Sequence, residues 1–300
     1  MEAVAFAPAH ITGVFQIQDA KPDSISMGSR GAGVSLTHGV TTRVRAVPSH
    51  KEEYSIWING VNADSACVSK WVACKFQEFT KERYAIKIEH DVQVPIGSGF
   101  GTSGAAGLGL SLALNDALNI GLTKIEAAQV AHEAEIFCGT GLGTVSGETF
   151  GGIDLRLREG APGVGVIKQI KVNGENAITA QHFGDMSTER ALKNLALRHK
   201  INSVSGKLIA ALNNNRTLEN FLRCSRWFSR TLGLMSRRVE RAVIHASEHG
   251  YICTQAMFGD TVFTITKQNE VDEISRILAE TNPGGRILTA NIDVQGVRLI

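Results

Sequence analysis

Residues Asp91–Asn115 read D-V-Q-V-P-I-G-S-G-F-G-T-S-G-A-A-G-L-G-L-S-L-A-L-N. Just upstream, Tyr84 to Val94 alternates apolar and polar residues, the period of a half-buried strand. Pro95 ends that run. Gly97, Gly99, Gly101 and Gly104 remove side chains where a turn must be tight, and Ser98, Thr102 and Ser103 offer hydroxyls. Ala105, Ala106, Leu108, Leu110, Leu112, Ala113 and Leu114 then predict a helix with a small, apolar surface. A glycine loop that feeds a helix presents unpaired N–H groups and the positive end of the helix dipole. That geometry suits phosphate.

Three phosphate loops compete for this stretch, beside the plain reading of a glycine-rich turn that packs helix on sheet. A Walker A loop needs G-x-x-x-x-G-K-[ST], and the chain has none; Ser205-Gly206-Lys207-Leu208 is nearest and lacks the first glycine. Gly99, Gly101 and Gly104 spell G-x-G-x-x-G, but a dinucleotide fold needs a second strand after the helix, ending in an acid about 20 residues on. Here Lys124 to Phe137 reads as another helix. The third pattern, P-x-G-S-G-x-G-[ST]-S-[AG]-A over residues 95–105, closely resembles the ATP-binding loop of the GHMP kinases, the family of galactokinase, homoserine kinase and mevalonate kinase.

Composition narrows the class. The chain has 300 residues, enough for one large or two smaller domains, and a 43% hydrophobic content sufficient for a buried core. A net charge of +2 makes no bulk electrostatic demand for nucleic acid or membrane. The odd count of five cysteines (Cys67, Cys74, Cys138, Cys224, Cys253) includes no C-x-x-C, which fits reduced thiols in a cytoplasmic protein. No basic, apolar leader and no run of 18 apolar residues stands out. The arginine-rich segment Ser187–His249 carries intervening acids and helical spacing, so it reads as a solvated face and not as a nucleic-acid surface.

Taken in order, Val4 to Ile17 reads as a strand that Pro8 confines to an edge or an end, with His10 and Thr12 as candidate polar contacts. Met27-Gly28-Ser29-Arg30-Gly31-Ala32-Gly33 suits either close approach to a small anion, with Ser29 or Arg30 touching it, or a hairpin. Val40 to Val61 predicts antiparallel strands with a turn at Asn59-Gly60, and Ser65 to Phe79 a helix. Thr123 and Glu126 form a capping box for a helix that places His132 and Glu135 on one face. Gly160–Gly163 reads as a turn between lobes, Val164 to Ile178 as strands around Asn173-Gly174, and the remainder as mixed helix and strand. In Gln255–Phe263, Asp260 reads as a turn acceptor or a site residue.

The runs G-S-R-G-A-G (28–33), A-H-x-A-E (131–135), G-T-G-L-G (139–143) and G-G-I-x-L-R (151–156) resemble the pantoate kinase branch of the GHMP kinases. The resemblance covers nearly the whole chain. It implies a two-lobed α+β fold, with an N-terminal lobe at 1–160 carrying the glycine-rich ATP loop and a ferredoxin-like C-terminal lobe at 161–300. It implies an ATP- and Mg²⁺-dependent kinase acting on a small hydroxy acid, pantoate, or on another small alcohol of the family. Pro95, Gly97, Ser98, Gly99, Gly101, Thr102, Ser103 and Gly104 would hold ATP. Ser103 and Glu135 would hold Mg²⁺. His132 and Arg156 would hold pantoate, with Ser29, Arg30 and His10 as further contacts. A homodimer is compatible with it. The family usually has an aspartate directly after G-T-G-L-G, as the base for the acceptor hydroxyl. This chain has Thr144, which cannot act as a base at neutral pH; Glu148 and Asp154 are possible substitutes, and a non-catalytic sensor is the rival reading.

Overall fold

β1 (Glu2–Gln18) and β2 (Gly28–Pro48) form one long antiparallel ladder at the centre of an eight-stranded sheet. The computed structural model describes residues 1–172, 175–186 and 193–300. Beyond β2 lie β5 (Tyr84–Val92), antiparallel to it, then β3 (Glu53–Ile58), parallel to β5, then the short β4 (Val61–Asn62). β3 and β4 turn at Asn59-Gly60, where both residues have positive φ, as a two-residue hairpin turn requires. The first half of β2 also pairs β6 (Ile153–Arg158), which hairpins to β7 (Val166–Gln169). The C-terminal β12 (Arg298–Leu299) returns to flank β1 at Ala5 and Phe6.

β1 runs between β12 and β2, but at Pro8 only β2 pairs with it, so the proline sits at a locally open edge. β12 is only two residues long, so the open side of β1 is free again beyond Phe6, and a register shift between Pro8 and Ala9 absorbs the missing donor.

Helices α1 (Cys67–Glu78) and α2 (Thr102–Ala117) pack on one face of this sheet, and α3 (Lys124–Cys138) packs on those two helices. α2 is buried from Gly104 through Leu114, so a helix of Gly, Ala and Leu on every side sits at the centre of the layer. The capping box at Thr123 and Glu126 forms as the spacing predicts. α4 (Thr144–Phe150), a short helix that periodicity does not announce, follows the G-T-G-L-G run.

The second layer is a four-stranded antiparallel sheet in the order β11 (Arg286–Asn291), β8 (Asn176–Gly184), β10 (Asp260–Lys267), β9 (Thr254–Gln255). Around it lie α5 (Leu195–Asn214), α6 (Leu218–Leu232), α7 (Arg237–Glu248) and α8 (Val271–Thr281). The second half of β1 and Phe100 share a core with this layer through Ile11, Phe15, Phe221, Phe228 and Phe263. The whole is a two-lobed α+β fold with the glycine loop at the seam.

Two expectations need correction. Cys67 and Cys138 are joined in a disulfide that ties α1 to α3, because packing brings together cysteines 71 residues apart; Cys74, Cys224 and Cys253 are free. Asp260 is neither a turn acceptor nor a site residue. It accepts from Ser236 Oγ and Arg238 Nη2, both at 2.6 Å, and so anchors the start of α7. The expected turn at Asn173-Gly174 lies outside the described residues. No described helix is long and apolar enough to cross a membrane.

Candidate active site

The loop Pro95–Gly101 crosses from β5 to α2 and borders a cavity of about 360 Å³ at the seam between the layers. Gly97, Gly99 and Gly101 all have φ between 65° and 85°. At Gly99 a side chain is doubly excluded: its φ is 85°, and an added Cβ would meet Met257 O at 2.9 Å. Gly101 caps α2 with no side-chain acceptor, so the N–H groups of the first turn face out unpaired, with the dipole behind them. Both layers hold the loop. Phe100 O accepts from His10 N at 2.9 Å, Gly97 O from Met186 N at 2.9 Å, and Ser98 O from Thr261 Oγ1 at 2.9 Å.

Below the helix N-terminus is a corner of oxygen donors. Ser103, in the first turn of α2, stands beside the Glu135 carboxylate of α3, and Thr140 Oγ1 donates to Glu135 Oε1 at 2.5 Å. Glu135 is 2% exposed yet lines the cavity. Burial raises its pKa, and the two hydroxyls work against that rise. A hard divalent cation suits such a corner, since Mg²⁺ takes one or two protein oxygens and completes its shell with phosphate and water. Among the described residues no cluster of three or more His, Cys, Asp or Glu side chains forms a complete protein cage.

The opposite wall is built on β1 and β2, with β6 packed behind it. His10 lines the cavity, and its Nε2 is 2.6 Å from Asp154 Oδ1. Asp154 Oδ2 accepts from Arg156 Nη1. All three side chains are buried. Burial alone would raise the Asp154 pKa, but Arg156 and His10 outweigh it and hold the carboxyl below the ordinary value. Arg156 Nε has no partner, and it converges with Ser29 Oγ on Gly143, where an added Cβ would stand 3.1 Å from that nitrogen. Ser29 lines the cavity. Thr12 lies beside His10, with Oγ1 at 3.4 Å from Nδ1.

The candidate residues do not all reach the wall. Of those expected to hold nucleotide, Gly97, Ser98, Gly99, Gly101, Thr102 and Ser103 line the cavity, whereas Pro95 and Gly104 stand behind it. Arg156, expected to hold the substrate, also lies behind the lining, next to Ser29 and Gly143. Arg30 alternates with Ser29 along β2 and so faces away from the cavity. His132 is buried one turn before Glu135, and its Nε2 donates to Ser24 O at 3.2 Å and Met27 O at 3.1 Å. Burial lowers its pKa, so the neutral ring clamps the loop that leads into Ser29. Thr144 lines the cavity as the first residue of α4. Thr140, Phe15, Met257 and Phe258 also line it without having been expected as site residues. Thr140 lies in a recognisable run, but its role depends on where Glu135 folds.

A glycine phosphate loop and an oxygen corner around one cavity, faced by His10 and Ser29, define a small-molecule kinase that uses ATP. Residues 67–152 match the GHMP kinases N terminal domain. The chain is 31% identical over 273 residues to the pantoate kinase of Methanocaldococcus jannaschii, covering 91% of this chain and 96% of that protein. It is 28% identical to the pantoate kinase of Thermococcus kodakarensis, over 93% and 92% of the two chains. Among solved structures it superposes with a TM-score of 0.89 on a phosphotransferase related to the CoA biosynthesis pathway, at 24% identity and covering 100% and 99% of the chains. A homoserine kinase from Cytophaga hutchinsonii matches with a TM-score of 0.74 at 16% identity, over 100% and 97%. The chain belongs to the pantoate kinase family of GHMP kinases.

Proposed function

We propose that this protein transfers the γ-phosphate of ATP to the 4-hydroxyl of pantoate, giving 4-phosphopantoate and ADP, in the cytoplasm. The observation that carries this reading is a phosphate loop over Ser103 and Glu135 on one side of the cavity, and on the other Ser29, with the buried Arg156 guanidinium directly behind it and Gly143. A carboxylate wants a guanidinium, whose fork is preformed for it. Pantoate's carboxylate would take Arg156 and Ser29, leaving the 4-hydroxyl toward the loop. His10, held by Asp154, is placed to meet the hydroxyls. His132 serves as a positioning residue that holds the Ser24–Met27 loop behind Ser29. Mg²⁺, held by Glu135 and Ser103, would neutralise charge on the transferring phosphate. The lobes divide near residue 160, with β7 and β12 bridging them.

Phosphoryl transfer leans on positioning and charge neutralisation more than on proton removal, so Thr144 does not exclude turnover. It does motivate a second reading, a sensor that binds ATP and pantoate without reacting. Release of ADP from Mg-ATP in the presence of pantoate, mevalonate, homoserine or pantothenate separates these. Turnover with pantoate alone is the expected result. Turnover with another acceptor moves the substrate, and tight ATP binding with no turnover favours the sensor.

A further inference from the structure

The reaction proposed above leaves its proton without an acceptor, because position 144 is threonine. Glu148 stands four residues on, one turn along α4, and therefore shares the Thr144 face of that helix. Its side chain is fully buried, and among the described residues neither Oε1 nor Oε2 has a hydrogen-bond partner. Buried polar groups are nearly always paired, so a carboxylate orphaned on both oxygens asks for a role. Its position supplies one. A Cβ on Gly101 would meet Glu148 Oε1 at 2.6 Å. A Cβ on Gly104 would meet Glu148 Oε2 at 2.8 Å and Thr144 Oγ1 at 2.9 Å. The carboxylate thus lies under the phosphate loop, and one oxygen flanks the same point as the threonine hydroxyl. Thr144 itself lines the cavity. Glycine at 101 and 104 is what leaves room for this arrangement. Burial, then the Glu135 and Asp154 carboxylates, raises the Glu148 pKa well above the ordinary value, with Arg156 opposing. Asp154 is already engaged by His10 and Arg156, so it is not available for the same task.

We infer that Glu148 replaces the missing carboxylate of position 144 from one helical turn away, acting through the Thr144 hydroxyl. As the acceptor oxygen bonds to the γ-phosphorus, the bond from that phosphorus to the β–γ bridging oxygen breaks, and ADP leaves with the electron pair. The acceptor's proton passes to Thr144 Oγ1 while the threonine's own proton passes to Glu148. The carboxyl is left protonated until product departs.

This rests on the phosphotransfer reading, and the test keeps the two apart. The wild type and the variants Glu148→Gln, Thr144→Val, Thr144→Asp and Thr144→Asp with Glu148→Gln are compared with Mg-ATP and pantoate. Binding of a non-hydrolysable ATP analogue is measured alongside. Glu148→Gln is expected to lower kcat by roughly 10²- to 10⁴-fold, with the pantoate KM and the analogue Kd unchanged within about threefold. Thr144→Val is expected to behave alike. Adding Thr144→Asp to Glu148→Gln is expected to restore most of kcat, which a purely structural role of Glu148 does not allow. Undiminished kcat in Glu148→Gln or in Thr144→Val overturns the inference. So does loss of analogue binding in step with kcat, or a double variant no faster than Glu148→Gln. If Glu148→Gln does not fold, Thr144→Val alone decides. A wild type that releases no ADP with pantoate overturns the reaction itself and this inference with it.

Discussion

At the scale of single residues, the cavity separates groups that line it from groups that hold the lining in place. Arg156 is committed through Nη1 to Asp154 but offers an unpartnered Nε beside Ser29. Arg156→Ala should raise the KM for pantoate and cost about 2 kcal/mol in kcat/KM, on the order of 30-fold, as for a lost charge-assisted hydrogen bond. A fall in kcat alone, with saturation by pantoate unchanged, refutes the carboxylate assignment. His90 gives a pH prediction away from the site. It is buried between Thr42 Oγ1 and Ser69 Oγ, each at 2.9 Å, and burial pushes its pKa down from 6.5 to about 4. The unfolded chain therefore binds a proton more readily between those values. Stability contributed by the neutral ring is present above pH 6.5 and falls as pH drops toward 4, by about 3 kcal/mol in all. Melting curves from pH 7 to 4 should show a shallower decline for His90→Asn than for the wild type. Equal slopes would remove His90 from the account. Residue type and motif made Ser103, Glu135 and Arg156 legible as candidates. Nothing local marked His90, whose surroundings come from three separate elements.

At the scale of elements, the decisive unit is strand, glycine loop, helix. Alternation marks β5, Pro95 stops it, and small apolar residues mark α2, so this unit was readable in full. Gly99→Ala tests the loop as an element. Its positive φ and the close approach of Met257 O mean that a methyl must displace the backbone. We expect ATP affinity to fall at least tenfold, with a smaller change in the pantoate KM, measured by analogue binding and by kinetics. Unchanged ATP affinity would show that the loop backbone does not carry the nucleotide. Pro8 and α4 were less legible. A proline in a strand predicts an edge, and β1 is open at Pro8 because the neighbour on that side is only two residues long; that β1 lies between two strands elsewhere was not readable. α4 has seven residues and no periodicity long enough to read, yet it carries both Thr144 and Glu148.

At the scale of the whole molecule, the two layers meet on a common core, and the cavity opens where β1 passes between them. The Cys67–Cys138 disulfide staples α1 to the end of α3, just ahead of the run that holds Thr140 and Thr144. Closing a loop of 71 residues should stabilise the fold by about 4 kcal/mol through the unfolded chain. Cys67→Ser should lower Tm by several degrees under non-reducing conditions, and a reductant should lower the wild type to the same value. A wild-type Tm indifferent to reductant would show that the bridge contributes nothing. By itself the sequence determined the class of chemistry, because a phosphate loop is local: its glycines, hydroxyls and helix follow one another within about ten residues. It also marked several of the cavity-lining residues, through short runs. Only the tertiary structure decided which of these share a cavity, which merely support it, and which cysteines pair. It alone placed Glu148 under the loop with both oxygens unpaired among the described residues. Those facts depend on contacts between segments far apart in the chain, and no local pattern of side chains encodes a distance across the fold.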